Sequence, residues 1–300
     1  MSRIQEILKK AERDGGVHRT RALVTDRGAA STAQSLVEPV PLRQVDGPEL
    51  NRGVAPGVPI AGAPGGATAA NQQVAVHLDT RLVAASAPQS LAAEQYRLLR
   101  TRVTRAENGR AYRSIIVTSP NKGDGKSLTA ANLALTMAHD TQLRVLLLDA
   151  DLRRPSIHRL FGISETPGLS DILMGGASID EALVSVPNQR LTLLPSGLIP
   201  TQPAELLGSA GMRRVLEALR GRFDRILIDM PPVAPLADVA IASTMADGVL
   251  MIVRAGVTPK PAIERALSGI EAGKVLGLVL NDAGASGSDY ADGGYRYAAG

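Results

Sequence analysis

From about Leu91 onward, short apolar runs alternate with stretches in which apolar residues recur at helical spacing. The runs occupy 114–118, 145–149, 191–195, 226–229, 248–253 and 276–281. The helical stretches fall at 89–107 and near 127–139, 179–185, 210–221, 237–245 and 260–272. Runs without a polar face are strands buried on both sides, which is the signature of a parallel sheet covered by helices. The pattern predicts an open, doubly wound α/β domain over residues 89–283, with its ligand site at the carboxyl ends of the strands.

The flanks follow other rules. In residues 1–13, Ile4, Ile7, Leu8 and Ala11 lie on one helical face, and Ser2 with Gln5 forms a capping box. So short a helix is not stable alone, so it docks on something or frays. Residues 14–88 read as a disordered linker, since half of 47–66 is Gly or Pro. Such a composition buries too little surface to offset its ordering entropy. Residues 284–300 form a Gly- and Ser-rich tail, expected to be flexible. Of the five tyrosines in the chain, Tyr290, Tyr295 and Tyr297 lie there.

Composition narrows the chemistry. The chain is 44% hydrophobic but only 2% aromatic, so aliphatic side chains and alanine must fill the core. It has no cysteine, which excludes disulfides, thiolate metal sites and cysteine nucleophiles and fits a reducing cytoplasm. No apolar run approaches the ~20 residues that span a bilayer, and residues 1–16 are too polar for a signal peptide. The expectation is a soluble cytoplasmic protein. A net charge of +4 with so few aromatics argues against a nucleic-acid partner. The four histidines show no metal-ligand spacing.

The first strand runs into Ser119-Pro120-Asn121-Lys122-Gly123-Asp124-Gly125-Lys126-Ser127, and a helix follows with Leu128 in its first turn. Strand, glycine-bearing loop and helix make the context of a phosphate-binding loop. Gly123 and Gly125 permit the tight turn that points N–H groups inward, and the helix N-terminus adds its dipole. In such loops the lysine, here Lys126, reaches the β- and γ-phosphates, and the hydroxyl of Ser127 binds Mg²⁺. Pro120 stands where the general pattern begins with glycine. The ligand implied is ATP with Mg²⁺, and the fold class sharpens to a P-loop NTPase with a mainly parallel sheet.

Two strands end in acids. Asp149 and Asp151 follow the second strand and point to one side by its period of two; one could hold Mg²⁺ and the other accept a proton, or they could cap the turn that follows. The strand at 226–229 ends in Asp229-Met230-Pro231-Pro232, and an apolar strand ending in Asp has the Walker B form.

These residues resemble the bacterial tyrosine kinases (BY-kinases) of capsule and exopolysaccharide production. Gly123-Asp124-Gly125-Lys126-Ser127 matches the family's P-G-x-G-K-S loop, with Lys122 replacing the proline. Asp149, Asp151 and Arg153 match its D-x-D-x-R. Asp229-Met230-Pro231-Pro232 matches D-[ST]-P-P without the hydroxyl. Glu94, Arg97 and Arg100 look like the E-x2-R-x2-R motif of subunit contacts, although the same spacing fits a plain solvated face. Pro203-Ala204-Glu205-Leu206-Leu207 and Leu278-Val279-Leu280-Asn281 resemble two further family segments.

The resemblance implies transfer of the γ-phosphate of ATP to tail tyrosines of a neighbouring subunit in a ring. It makes Asp151 the base, gives Mg²⁺ to Ser127, Asp149 and Asp229, and places Asn281 at adenine. It also implies a separate chain-length-type membrane activator that recruits the chain to the inner face of the plasma membrane. The rival is a Min/Par-type ATPase switch. That family carries a signature lysine five residues before the loop lysine, where this chain has Asn121.

Overall fold

The computed structural model describes residues 77–105, 112–140, 143–233 and 238–283. The helix expected over 1–13, the glycine- and proline-rich part of the linker and the tyrosine tail lie outside them.

Seven strands form one sheet in the order β3-β4-β2-β5-β1-β6-β7. They are β1 (Ser114–Thr118), β2 (Val145–Asp149), β3 (Val184–Ser185), β4 (Leu191–Leu194), β5 (Arg225–Asp229), β6 (Gly248–Arg254) and β7 (Val275–Asn281). All pairings are parallel except that of β3 with β4, an edge pair at 184–185 that corrects the helical stretch expected over 179–185, since the helix there ends at Ala182.

Alternation along each strand divides the core in two. Ile116, Leu146, Leu148 and Ile228 face one layer; Ile115, Val117, Val145 and Leu147 face the other. The first layer is covered by α7 (Pro203–Gly208), α8 (Ala210–Arg222) and α9 (Asp238–Ser243). Lys274 Nζ donates to the carbonyls of Ser243, Thr244 and Ala246, tying off the C-terminal end of α9.

The second layer centres on α3 (Lys126–Asp140), which is apolar nearly all round and must be covered on both sides. The sheet covers one side. The other is covered by α1 (Val83–Ser86) and α2 (Leu91–Arg105). This moves the expected domain boundary: residues 77–88, read as linker, belong to the fold. Leu82 is fully buried there, and the buried Asn132 of α3 clamps the segment. Its Oδ1 accepts from the Ala84 N–H, and its Nδ2 donates to the Arg81 carbonyl. Short helices α4 (Ile157–Phe161), α5 (Leu169–Leu173) and α6 (Ile179–Ala182) fill the β2–β3 connection, and α10 (Lys260–Ser268) precedes β7.

The chain leaves β1 toward β2 on one side, while β6 and β7 lie on the other. This reversal opens a crevice at the carboxyl end of β1, where the glycine-bearing loop stands.

Candidate nucleotide site

The loop after β1 is held by its own side chains and by its neighbours. Ser119 Oγ donates to the Asn121 carbonyl, and the Asn121 N–H donates to Asp124 Oδ2. Asp124 is buried, and its Oδ1 accepts from Thr258 Oγ1 of the β6–α10 connection. Asn281 Nδ2, at the end of β7, donates to the Asp124 carbonyl at 2.9 Å. Gly123 and Gly125 adopt φ of +88° and +95°, a region that favours glycine. A Cβ on Gly125 would also sit 2.1 Å from Asn281 Nδ2.

A cavity of about 950 Å³ opens over this loop, lined among others by Gly123, Gly125, Lys126, Ser127, Leu128 and Asp151. Lys122 and Arg153 also line it. Lys126 Nζ lies 2.7 Å from Asp151 Oδ2 and 3.5 Å from Asp229 Oδ1. Burial alone would lower the lysine pKa, but the charges of Asp229, Asp151 and Asp149 outweigh it and hold the ammonium above its ordinary value.

Sheet register places Asp149 directly beside Asp229. Burial and the neighbouring Asp229 charge push the Asp149 carboxyl up to about 7, against the opposing pull of the Ile157 and Ser156 N–H groups. Asp149 Oδ2 accepts from those two N–H groups, which start α4, and Oδ1 accepts from the Asp151 N–H. Of the two sequence readings of Asp149, its contacts are those of a cap.

Asp229 differs. Burial raises its pKa as well, with Lys126 opposing. Both its carboxylate oxygens are buried without a well-formed hydrogen bond, with the Lys126 ammonium 3.5 Å from Oδ1 and the Ser127 hydroxyl as their polar neighbours. A buried carboxylate beside the Ser127 hydroxyl, with acceptor capacity left over, suits a hard cation or its waters. Among the described residues no group of three or more acids or histidines stands ready to hold a metal ion.

Arg153 Nε donates to Asp238 Oδ2 at 2.7 Å, and Asp238, at the start of α9, is fully buried. Asp238 escaped the sequence reading because it lies 85 residues from its partner. Met230 is buried in the first core layer, so the side chain that replaces a hydroxyl points into hydrocarbon. Glu94, Arg97 and Arg100 lie on α2. Arg97 pairs with Glu94 at 2.6 Å and donates to the Pro88 carbonyl, while Arg100 reaches the Thr136 carbonyl of α3. Tyr290, Tyr295 and Tyr297 lie outside the described residues.

Fold and site define a P-loop nucleotide-binding protein. A family model described as an AAA domain matches residues 113–272. The chain is 36% identical over 206 residues to tyrosine-protein kinase YwqD of Bacillus subtilis, covering 68% of this chain and 86% of that one. It is 33% identical over 218 residues to tyrosine-protein kinase Wzc of Salmonella typhimurium, where the match covers 72% of this chain but only 30% of the relative. Among solved structures, the BceF tyrosine kinase domain superposes with a TM-score of 0.61 at 35% identity, covering 66% of this chain and 81% of that domain. The chimerical protein CapA2B2 superposes with a TM-score of 0.64 at 30% identity, covering 68% and 91%. The chain belongs to the bacterial tyrosine-protein kinases.

Proposed function

We propose that this chain transfers the γ-phosphate of ATP to tyrosines of its own tail, Tyr290, Tyr295 or Tyr297, on a neighbouring subunit of a ring. In this reading the reaction regulates capsule or exopolysaccharide synthesis and export. A separate chain-length-type membrane protein activates the kinase and recruits it to the inner face of the plasma membrane. Among the described residues no helix is long and apolar enough to cross a membrane.

The observation that carries the reading is the Lys126–Asp151 pair at 2.7 Å on the cavity wall. Phosphoryl transfer needs a cation at the phosphates and a base at the attacking hydroxyl. Here the two groups neutralise each other until Lys126 turns to the phosphates. That movement frees the Asp151 carboxylate to take the tyrosine proton, so the base is unmasked when the donor is in place. Mg²⁺ at Ser127 and Asp229 would offset phosphate charge. Asp149 holds the turn carrying Asp151 and adds its charge from below the site. Asn281 and Thr258 fix the loop through Asp124. The bond formed is tyrosine oxygen to γ-phosphorus, and the bond broken is γ-phosphorus to bridging oxygen.

The test uses the full chain with the cytoplasmic segment of its membrane activator, Mg²⁺ and ATP, probed for phosphotyrosine. Wild type is expected to label, and Lys126→Met to lose at least about a hundredfold in rate. The triple Tyr290→Phe, Tyr295→Phe, Tyr297→Phe chain is expected not to label. A silent wild type would overturn the kinase reading, and ATP hydrolysis without phosphotyrosine would favour a switch. Label surviving in the triple variant would overturn only the tail assignment.

A further inference from the structure

Beyond the phosphate loop, the cavity has a second wall built from the turn after β2 and the arm before α1. Arg81, Arg153, Arg154 and Arg159 line it, with Glu165 as its acid and Asp151 on the floor. Two of these arginines are matched by a carboxylate. Arg81 pairs with Asp79 at 2.8 Å and Arg153 with Asp238 at 2.7 Å. Arg159 donates to the Pro155 carbonyl, and Lys126 is held by Asp151. Three exposed rim cations, Lys122, Arg154 and Arg159, have no carboxylate partner among the described residues. The same rim carries an apolar ledge, Ile199, which is 63% exposed beside Leu198. The cavity thus offers an apolar surface for an aromatic ring on the same rim as unmatched positive charges.

The tail sequence is charged unevenly. Tyr290 stands in Ser288-Asp289-Tyr290-Ala291-Asp292, with an acid on either side and no base. Tyr295 and Tyr297 flank Arg296. We propose that this cavity selects tyrosines with acidic neighbours and takes Tyr290 ahead of Tyr295 and Tyr297, an inference that rests on the kinase reading above. Asp289 and Asp292 meet Lys122 and Arg154, while Arg296 would meet the same cations with Glu165 as its acid on that wall. The occupant is the segment 284–292 of a second copy or of the same chain, and the charge argument is the same for both.

The experiment uses the full chain with all three tail tyrosines changed to phenylalanine, so that only added peptide can be labelled. Peptides of residues 284–292 and 293–300 are supplied with Mg²⁺ and ATP, together with the activator's cytoplasmic segment. An Asp289→Asn, Asp292→Asn version of the first peptide serves as control. Peptide binding is read by fluorescence anisotropy with a non-hydrolysable ATP analogue. The acidic peptide is expected to be favoured roughly three- to tenfold in kcat/KM, the range that two exposed ion pairs supply. The preference should vanish in the asparagine peptide and at Arg154→Glu, with KM for ATP unchanged. Equal rates, or a preference that survives Arg154→Glu, would overturn the inference and leave the kinase reading intact. A rise in KM for ATP at Arg154→Glu with peptide selectivity unchanged would also overturn it, by assigning that cation to the nucleotide. If neither peptide is phosphorylated but the acidic one still binds better, charge selection stands and the kinase reading falls.

Discussion

Asp149 lies beside Asp229 in the sheet, and its carboxylate accepts from the N–H groups of Asp151, Ser156 and Ile157. Its place at the end of an apolar strand, two before Asp151, was legible because the motif is contiguous. Its task was not, since its N–H donors come from the turn that follows and its repulsive neighbour from β5, 80 residues away. The same reason hid Asp238 and Asn132, buried polar residues that the fold brings to partners far along the chain. Glycines, lysine and serine of the loop were readable because their chemistry is local. The raised Asp149 pKa has a consequence for stability. The folded chain holds that proton to about 7, whereas the ordinary aspartate value is 3.8. The stabilisation from binding it is complete below the ordinary value and is lost as pH rises through the folded one. The nucleotide-free chain is therefore expected to lose stability from about pH 4 to about pH 7 and to level off above that. Asp149→Asn should flatten that slope while lowering the midpoint itself, because an amide cannot accept all three N–H groups. Urea midpoints across this range measure both effects, and a flat wild-type profile would contradict the assignment.

At the scale of elements, the six long strands and the longer helices followed from periodicity. What the pattern missed is short. The helices α1, α4, α5 and α7 run four to six residues, too few turns for an apolar stripe to repeat. The arm at 77–88 was missed for a related reason: it follows a long glycine- and proline-rich stretch, and one leucine does most of its burying. Leu82 closes the outer face of α3, and Asn132 accepts one hydrogen bond from the backbone around it and donates another. Arg81 of this arm lines the cavity, so the arm links packing to the site. Leu82→Ala is expected to cost about 2–5 kcal/mol, the range for deleting a fully buried leucine side chain. Chemical denaturation of the full chain gives the value. A loss below about 0.5 kcal/mol, typical of surface changes, would return the arm to the linker.

For the whole molecule, the open question is whose tail enters which cavity. β7 ends beside the phosphate loop, where Asn281 touches Asp124, so the tail departs from the same end of the sheet as the site. Tyr290 stands seven residues beyond Ala283, a reach of at most about 25 Å. Reach alone therefore permits delivery to the chain's own cavity or to a neighbour's. The proposed subunit contact also starts from satisfied groups, since Glu94 and Arg97 already pair within the chain and Arg100 is bound to α3. A ring must share or replace those bonds, and so should depend on concentration and salt. Mixing two crippled chains separates the routes. One carries Lys126→Met with an intact tail; the other has an intact site with all three tail tyrosines changed to phenylalanine. Delivery between subunits predicts phosphotyrosine on the Lys126→Met chain in the mixture and on neither chain alone. It also predicts a wild-type rate per chain that rises with protein concentration until the ring is full. Delivery within a chain predicts a silent mixture and a rate per chain independent of concentration. The mixture thus decides whether the tail is a substrate that assembly presents or one that each subunit presents to itself.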